Sequence, residues 1–539
     1  MIAFTSSLVF LLFNFVTITC YIVEPGPLVV ATKGEVWPKP QEQTTEDKFY
    51  IVRPQIFKFK VLSESCDILT NALDRYINII VNQILPKTRV KLQEDVLKPW
   101  KTNKNFVGYL DALDIILLEP CKHGELPDAS MTEQYVLNIT SDTVNVLSAQ
   151  SVWGILRGLE TFSQLLYPTA DEALHINCTS IFDYPRYQHR GVLVDTSRHY
   201  IPVSKLLKTL DALSYNKLNV FHWHITDDQS FPYISKTYPE LSQQGAYLPT
   251  YVYTQQDVAQ IINYAAARGI RVIAEFDTPG HTRSWGQAFP ELLSPCYRNN
   301  VSTGQYGPMD PTKNFTYEFM ENLLTEIVDV FPDNFLHLGA DEVEFECWQS
   351  NPEITAFMQT HNISSYVELE SYYIQKIIDM SDKLKATSIV WEEVFTNGVQ
   401  LPNRTIVHVW KGGWELTMNA VTNSGFQTLL SSCWYLDHLS GGGDWTKYYD
   451  CEPTKFKGSD EQKKLVIGGE ACMWAEVVNE YNIESRMWPR ASAAAEKLWS
   501  VKDADTSSQA GHRLEEHTCR MNKRGIGAQP PNGSGFCEL

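Results

Sequence analysis

The chain has 539 residues, a formal net charge of −19 and 43% hydrophobic residues. This length accommodates a small domain followed by a barrel of roughly 250–350 residues. The acidic balance argues against a nucleic-acid partner, because phosphate binding requires a basic face. Beyond the N-terminus no stretch is long and apolar enough to cross a bilayer, so no membrane span is expected in the mature protein.

The first twenty residues carry no charged side chain, and Leu8 to Val16 is almost entirely apolar. This pattern predicts a signal peptide over residues 1–20, with a signal anchor as the alternative because basic residues are missing at its start. Ten cysteines follow Cys20. Seven N-x-S/T sequons also occur, at Asn138, Asn177, Asn300, Asn314, Asn362, Asn403 and Asn532. Together these features indicate a disulfide-bonded glycoprotein of the secretory pathway.

Residues 21–185 are predicted to form a small α+β domain. Apolar residues recur at helical spacing from Asp67 to Leu85, and Ser151 to Leu166 is predicted as a second helix. Tyr135 to Leu147 alternates like two strands joined around Asp142. Few polar residues of catalytic type converge in this block, so the chemistry is expected further along the chain.

Residues 186–539 show a different pattern, in which short apolar runs alternate with helical segments. The eight runs are Gly191 to Val194, Leu218 to Ile225, Gly269 to Ala274, Phe335 to Gly339, Ser388 to Val390, Thr405 to Val409, Phe426 to Leu430 and Leu465 to Glu470. The clearest helices are Val203 to Tyr215, Thr254 to Arg268, Tyr317 to Phe331 and Val367 to Leu384. Eight strands alternating with helices predict a (β/α)₈ barrel with a C-terminal extension. The barrel is imperfect, because there is little room for a helix between Trp391 and Trp410 and no convincing helix between Asp437 and Leu465.

In such a barrel the chemistry lies at the C-terminal ends of the strands, and several runs here end in polar or aromatic residues. Glu342 follows the fourth run directly after Asp341. A Glu at this point is typical of a proton donor for glycoside hydrolysis, the alternative being a carboxylate that caps a helix or forms an ion pair. Beyond a strand end the alternation of side chains can break, so both carboxylates are able to reach one pocket.

Most glycosidases need a second carboxylate opposite the acid. Spacing alone leaves Asp277, Glu392 and Glu476 as candidates. The runs also end in Trp391, Trp410, Trp434 and Trp474, and four tryptophans at one end of a barrel favour an aromatic pocket for a sugar or an acetyl methyl over a purely structural role.

Arg198 ends the first run and offers a planar fork of donors for hydroxyls or carboxylates, with a structural ion pair as the alternative. His281, four residues after Asp277, is predicted to orient or tune nearby acids, with a structural histidine as the alternative. His and Asp residues are the only candidates for a metal site, but no two of them show compelling metal-ligand spacing, and neither a C-x-x-C pair nor a glycine-rich nucleotide loop occurs. Neither a metal nor another cofactor is therefore expected.

The strand-end motifs together resemble glycoside hydrolase family 20, the family of the animal lysosomal β-hexosaminidases. The resemblance runs from about residue 25 to the C-terminus. It rests on residues 191–199 (GVLVDTSRH), 222–232 (HWHITDDQSFP), 275–281 (EFDTPGH), 337–343 (HLGADEV), 434–437 (WYLD), 468–474 (GGEACMW) and 488–492 (WPRAS). Each motif alone is weak, whereas the set is specific.

The resemblance implies an exo-β-N-acetylhexosaminidase that removes terminal GlcNAc or GalNAc from a glycoprotein, glycolipid or chitooligosaccharide. In this family the substrate's own acetamide oxygen attacks the anomeric carbon, which explains why no second nucleophile is needed. The implied roles are acid/base for Glu342, acetamide orientation for Asp341, acetamide binding for Tyr435, pocket walls for Trp391, Trp410 and Trp474, hydroxyl binding for Arg198, Asp437 and Glu476, and support of the acid for Asp227, Asp277 and His281.

The resemblance also implies a homodimer, a lysosomal or secreted location and three disulfides, Cys66–Cys121, Cys296–Cys347 and Cys519–Cys537. From their position around Tyr435, Cys433 and Cys451 are inferred to pair, which leaves Cys178 and Cys472 free.

Several residues depart from the family pattern. Asp437-His438 stands where members that accept anionic sugars have Asn-Arg, so neutral substrates are expected to be preferred. Ala340 and Ala475 stand where glycine is usual, and Glu392 replaces a glutamine.

The sequence has three alternative functional interpretations. One is a catalytically inactive carbohydrate-binding protein on the same fold, which would be expected to lose Asp341, Glu342 or Tyr435. Another is an ordinary two-carboxylate glycosidase, which would not need an acetamide pocket. The third is an adhesive surface glycoprotein, which explains the sequons but not the strand-end residues.

Overall fold

The computed structural model describes residues 26–84, 99–169, 173–439 and 443–537. The predicted signal peptide over residues 1–20, including Cys20, lies outside the described residues and stays a prediction. No helix among the described residues combines the length and apolar character needed to span a bilayer.

A mixed sheet with two helices forms the first part of the chain. Its strands are β1 (Glu42–Val52), β2 (Lys58–Val61), β3 (Phe106–Leu110), β4 (Ala112–Leu117), β5 (Tyr135–Ile139), β6 (Val146–Ala149), β7 (Tyr167–Pro168) and β8 (Leu174–Asp183), in the order β2-β4-β6-β5-β8-β1-β3 with β7 beside β8. The helices are α1 (Asp67–Asn82) and α2 (Val152–Leu165), and a single 3₁₀ turn spans Pro99–Thr102. Both helices and the antiparallel β5–β6 pair agree with the sequence pattern.

Helix α2 joins this unit to the rest of the molecule. Ser151 caps its first turn, and every residue of the helix is buried. From its outer side Arg157 Nη2 donates to the carbonyl of Gly269 across 2.7 Å, and Gln164 Nε2 donates to that of Tyr215 across 3.3 Å. A helix that is apolar or hydrogen-bonded all round is a buried connector, which holds the small unit rigidly against the barrel.

Eight parallel strands close into the barrel predicted from the sequence. The strands that follow β8 are β9 (His189–Asp195), β10 (Val220–Thr226), β11 (Arg271–Phe276), β12 (Leu293–Arg298), β13 (Val301–Met309), β14 (Phe335–His337), β15 (Thr387–Trp391), β16 (Ile406–Val409), β17 (Gln427–Leu430) and β18 (Val466–Met473). Strands β12 and β13 form a separate hairpin, and the other eight form the barrel, in which β18 pairs with β9.

The helices around the barrel are α3 (Val203–Tyr215), α4 (Glu240–Gly245), α5 (Gln255–Ala266), α6 (Asn314–Val330), α7 (Glu346–Ser350), α8 (Pro352–His361), α9 (Tyr366–Lys383), α10 (Glu392–Thr396), α11 (Trp414–Asn423), α12 (Trp445–Asp450), α13 (Asp460–Lys464), α14 (Ile483–Met487), α15 (Arg490–Trp499) and α16 (Ser507–Lys523). The four helices predicted most clearly are α3, α5, α6 and α9. Only the short α10 lies between β15 and β16. Between β17 and β18, where no helix was expected, α12 and α13 are short helices whose length gives little periodic signal.

The barrel interior is layered, as expected for this fold. Its lowest layer is aliphatic and contains Val220, Ile273, Ile389, Ile406 and Leu429. Two residues further along the strands, the inward side chains become polar and include His222, Glu275, His337, His408 and Glu470, all buried. Above them the strand ends open into the cavity described below.

Four disulfides are formed, Cys66–Cys121, Cys296–Cys347, Cys433–Cys451 and Cys519–Cys537, and Cys178 and Cys472 are free and buried. These are the pairs and the free thiols given by the sequence analysis. The Cys433–Cys451 bond spans the loop that carries Tyr435. It thereby restrains the backbone on one side of the cavity.

Candidate active site

A cavity of about 170 Å³ lies at the C-terminal ends of the barrel strands. Its lining residues come from the ends of seven strands and are Arg198, His224, Asp277, His281, Asp341, Glu342, Trp410, Tyr435, Asp437, His438, Trp474 and Glu476. Nearly all of the site residues named from the sequence therefore converge here, although they are spread over almost 280 residues of chain.

Asp341 and Glu342 face this cavity together because the backbone after β14 is irregular. Gly339, Ala340 and Glu342 all have positive φ, of 65°, 71° and 48°. A Cβ on Gly339 would lie 1.9 Å from Asp277 Oδ1, so only glycine allows this close approach. The turn breaks the alternation of a strand, and both neighbouring carboxylates line one pocket. Asp341 is buried, whereas the Glu342 side chain is 58% exposed.

Asp341 shares a hydrogen bond with Asp277, and Asp277 Oδ1 also accepts from the Ala340 amide across 2.6 Å. Burial, and then the charge of Asp341, raises the pKa of Asp277 well above its ordinary value. Burial also raises the pKa of Asp341, although His281 and the bond from Asp277 oppose that shift. Asp277 therefore holds the proton of the pair, which leaves Asp341 as the anion. Its Oδ1 has no hydrogen-bond partner among the described residues.

His281 connects these acids to a second group of charges. Its Nδ1 lies 3.2 Å from Asp227 Oδ1, and its Nε2 lies 3.9 Å from both Asp341 Oδ1 and Glu342 Oε2. Burial alone would lower the pKa of His281, but the surrounding carboxylates raise it well above the ordinary value. A charged imidazolium beside Asp341 favours the anionic form of that carboxylate.

Arg198 contacts the other oxygen of Asp227 and lies next to His281, with its Nη2 3.5 Å from His281 Nδ1. Its Nη2 lies 2.8 Å from Asp227 Oδ2, and its Nη1 donates to Asp195 Oδ2 across 3.1 Å. The guanidinium also stacks 5.2 Å from the Trp474 ring. The predicted ion pair is present, and it fixes the guanidinium at the cavity wall, whereas the binding of substrate hydroxyls by Arg198 stays a prediction.

Three of the four strand-end tryptophans surround the cavity. Trp410 and Trp474 line it, and Trp391 is buried behind them with ring-centre distances of 6.4 Å and 6.1 Å. Trp434 is the exception, because it is fully buried and donates to the Tyr448 carbonyl across 2.9 Å. Its placement with the pocket aromatics was wrong, since it lies on the core side of the loop that presents Tyr435.

Tyr435, Asp437 and Glu476 also line the cavity. Tyr435 stacks on Trp410 with ring centres 6.1 Å apart, and burial raises its pKa well above the ordinary value, so the phenol stays a donor. Asp437 has one oxygen 3.4 Å from His438 Nε2, while its Oδ1 is buried without a hydrogen-bond partner in the described part of the chain. His438 is exposed at the rim.

The three carboxylates that spacing left as possible partners of Glu342 occupy different positions. Glu392 Oε2 accepts from the amides of Trp410 and Lys411, at 2.9 Å and 3.2 Å, and so turns away from the cavity. Asp277 is held beneath Asp341, as described above. Glu476 lines the cavity close enough to Arg198 for its charge to raise that pKa.

A buried polar network beneath the site was missed by the sequence analysis. Glu275 accepts from Trp391 Nε1 across 2.8 Å, and its second oxygen lies 2.7 Å from His224 Nδ1 and 3.0 Å from His222 Nε2. His224 Nε2 in turn contacts Asp227 Oδ2 at 2.9 Å. Burial opposes charge on both histidines, but their acidic partners raise the pKa of His222 to about 9 and of His224 to about 10. The sequence pattern that could have predicted this network is a pair of polar residues two positions apart within an apolar strand. Such pairs occur at positions 222 and 224 and again at 275 and 277.

Two groups of described side chains have possible metal-ligand atoms within 4.8 Å of one another. They are His222 with His337 and His408, and Asp277 with His281 and Asp341. Both nitrogens of His222 lie within 3.0 Å of glutamate oxygens, at Glu275 and Glu470, and these charges raise the pKa of His222 to about 9, so the ring is protonated at neutral pH. In the second group the Asp277–Asp341 hydrogen bond requires a shared proton. Neither group has the deprotonated ligand set that a metal requires.

Two family models match the chain, a glycosyl hydrolase family 20 catalytic domain over residues 187–502 and a beta-acetyl hexosaminidase-like domain over residues 36–165. The mouse beta-hexosaminidase subunit beta is 52% identical over 79% of this chain and 79% of its own length. The mouse subunit alpha is 45% identical over 93% of this chain and 95% of its own. The X-ray structure of Flavobacterium johnsoniae chitobiase superposes with a TM-score of 0.77 at 29% identity, covering 91% of this chain and 73% of that one.

Proposed function

This chain belongs to glycosyl hydrolase family 20 and is a glycoside hydrolase, and from that premise we propose that it is a retaining exo-β-N-acetylhexosaminidase that uses substrate assistance. The observation that carries the proposal is the buried, unpartnered Oδ1 of Asp341 beside the exposed carboxyl of Glu342. Together they offer an acceptor for an acetamide N–H and a proton for the leaving oxygen within one cavity.

In the first step the acetamide oxygen of the substrate attacks the anomeric carbon, and the glycosidic bond breaks. Glu342 gives its proton to the leaving oxygen. Asp341, kept anionic by Asp277 and His281, accepts the amide N–H and stabilises the positive charge that develops on the oxazolinium ring. The Tyr435 hydroxyl donates to the attacking acetamide oxygen and holds it on the reacting face.

In the second step Glu342 takes a proton from water, which attacks the anomeric carbon from the side that the leaving group vacated. The oxazolinium opens, and the sugar is released with its original β configuration. The acetyl methyl packs against Trp391, Trp410 and Trp474, where an apolar group displaces water from an aromatic wall. A sugar without the acetamide has neither this contact nor the internal nucleophile.

The small cavity suits one terminal sugar, which supports exo action. Arg198, Asp437 and Glu476 line the cavity, which supports their proposed role as ligands of the outer hydroxyls. The proposed substrate is terminal GlcNAc or GalNAc of glycoproteins, glycolipids or chitooligosaccharides. Asp437 lines the cavity, and one of its carboxylate oxygens is buried without a hydrogen-bond partner among the described residues. A negative charge there repels a sulfated or sialylated sugar, so neutral substrates are preferred.

The alternative is a carbohydrate-binding protein without activity. Such a protein needs the aromatic walls to bind a sugar. It does not need the charged groups around Glu342, which are the protonated Asp277, the imidazolium of His281 and the anionic Asp341. This arrangement favours the enzyme, because charges buried for binding alone are expensive to retain.

Four disulfides are typical of an oxidising compartment and support a secretory-pathway protein, lysosomal or secreted. A homodimer is proposed by likeness to the hexosaminidase subunits, and the mass of the purified protein by light scattering tests it.

The function is tested by hydrolysis of a fluorogenic N-acetyl-β-glucosaminide at acidic and neutral pH, with the matching β-glucoside and the 6-sulfated glucosaminide alongside. Cleavage of the acetamido sugars alone, with poor use of the sulfated one, supports the proposal. Equal cleavage of the plain glucoside would contradict the acetamide mechanism, and binding of the sugar without cleavage at any pH would favour the inactive alternative.

A further inference from the structure

A second concave site lies in the N-terminal unit, on a part of the molecule with no residue in common with the barrel cavity. It is a cleft of about 410 Å³, within the range of small-ligand pockets. It lies beside strands β1 and β8 and the 3₁₀ turn Pro99–Thr102. Its lining residues are Asp47, Phe49, Trp100, Asn103, Asn105, Tyr167, Thr169, His175 and Asn177.

One wall of this cleft is aromatic. Phe49 stacks on His175 with ring centres 4.6 Å apart, and the Tyr167 ring lies 5.7 Å from the same imidazole. Trp100 packs against the small cluster that contains Phe49. Its indole Nε1 is buried without a hydrogen-bond partner in the described residues. A buried N–H without a partner is unfavourable, so the wall is suited to a ligand that brings an acceptor as well as an apolar face.

The remaining lining is polar. Asn103, Asn105 and Asp47 supply amide and carboxylate groups to the cleft, and Asn103 Oδ1 is fixed by the Asn105 amide across 2.9 Å. An aromatic face combined with several amides matches the chemistry of a sugar, which presents C–H groups on one side and hydroxyls at its edges.

The cleft also contains an asparagine to which a sugar can be attached. Asn177 begins the sequon Asn177-Cys178-Thr179 on β8. Its Oδ1 accepts from the Tyr167 hydroxyl across 2.8 Å, which fixes the plane of the amide. The amide nitrogen donates to no other described residue. By contrast Asn300 and Asn403 are exposed, so a glycan on either projects into solvent.

We propose that the cleft is a saccharide site whose ligand is the first GlcNAc of an N-glycan attached to Asn177. In this arrangement the sugar ring lies against Trp100, and the indole N–H donates to one of its oxygens. The glycan then acts as part of the fold of the N-terminal unit, holding the Pro99–Thr102 turn against β1 and β8. The inference is independent of the catalytic proposal.

The test uses the full-length protein secreted from cells that attach N-glycans. The folded protein is treated with a peptide N-glycosidase, and the release of each glycan is followed by glycopeptide mass spectrometry. The Asn177 glycan is expected to be released about tenfold more slowly than those at Asn300 and Asn403, because the enzyme must reach a bond inside the cleft. Trp100→Ala should abolish that difference. Tyr109→Ala, at a partly exposed aromatic outside the cleft, is the matched control and should preserve it.

Thermal unfolding supplies a second measurement in case Trp100→Ala fails to fold. Asn177→Gln should lower the midpoint, whereas Asn403→Gln should leave it unchanged. An unoccupied Asn177, a glycan released from it as fast as from the exposed sites, or equal midpoints for the two glutamine variants would each overturn the proposal. A free chitobiose that binds the cleft of an unoccupied protein would overturn it in favour of a lectin-like site for external glycans.

Discussion

The indole N–H of Trp391 donates to Glu275 Oε1 across 2.8 Å. Through its other oxygen Glu275 contacts His224, which reaches Asp227 and so the group of charges around His281. A single buried carboxylate thus holds the back of the aromatic wall and one end of the array that supports Asp341 and Glu342. Shape and charge in the cavity depend on the same residue.

Replacing Glu275 with Gln removes the charge between His222 and His224, and the unfolding free energy should fall by about 3–5 kcal/mol because each buried cation loses one of its two carboxylate partners. The value of kcat should fall more than KM rises, since Trp391 and Asp227 lose their positions together. Glu326→Gln is the control, because Glu326 is also buried and accepts from Tyr233 and Ser235 at 2.8 Å, away from the cavity. Equal kcat in the two variants at matched stability would contradict a positioning role.

Replacing the carboxylate with an amide should lower kcat far less at Asp277 than at Asp341, although the two side chains are hydrogen-bonded to each other. Asp277→Asn replaces a protonated acid with a group that still donates to Asp341 and accepts from Ala340, so kcat should stay within about tenfold. In the proposed mechanism Asp341→Asn removes the anion that stabilises the oxazolinium, and kcat should fall by about 10²–10³. Initial rates on the acetamido substrate measure both. If the two variants lose activity equally, the proton is not on Asp277.

Glu342→Gln should lower kcat on an oligosaccharide by about 10²–10⁴, the ordinary contribution of a proton donor. Glu344→Gln is the matched control two residues further on, where an exposed side chain pairs with Arg283 at 2.8 Å. Binding of a non-hydrolysed N-acetylglucosamine analogue, measured by calorimetry, should be retained in both variants. A Glu342→Gln enzyme with normal turnover would show that another group supplies the proton.

The fold was predictable because eight apolar runs and four long periodic helices carry clear local signals. The convergence of the strand-end residues on one cavity was predictable because barrel geometry brings strand ends together. The network around Glu275 was not predictable, because its members lie up to 116 residues from Glu275 along the chain and strand register decides which of them come into contact. Trp434 was misplaced for a related reason. A loop of irregular backbone decides whether neighbouring residues such as Trp434 and Tyr435 face the core or the cavity, and no periodicity applies there.

Discrimination against anionic sugars should depend on pH. Burial, partly offset by His438, raises the pKa of Asp437, so its charge is lost at a higher pH than for an exposed aspartate. The ratio of kcat/KM for 6-sulfated over neutral substrate should therefore rise as the pH falls. Asp437→Asn should raise that ratio about tenfold at neutral pH and flatten its pH dependence. An unchanged ratio would place the 6-position elsewhere in the cavity.

The sequon at Asn532 should remain unoccupied. Its amide nitrogen donates to the Gly511 carbonyl across 3.0 Å and to Glu515 Oε2 across 2.9 Å, so both hydrogens are used. An N-glycosidic bond replaces one of them and would leave a buried acceptor without its donor.

Mass spectrometry of the secreted protein should find the Asn532 peptide unmodified, with glycan on the exposed Asn300, Asn314, Asn362 and Asn403. Asn532→Gln should change no glycoform yet lower the unfolding midpoint, because the longer side chain cannot keep both bonds. Glycan on Asn532 in folded, active protein would mean that this C-terminal segment adopts a different arrangement.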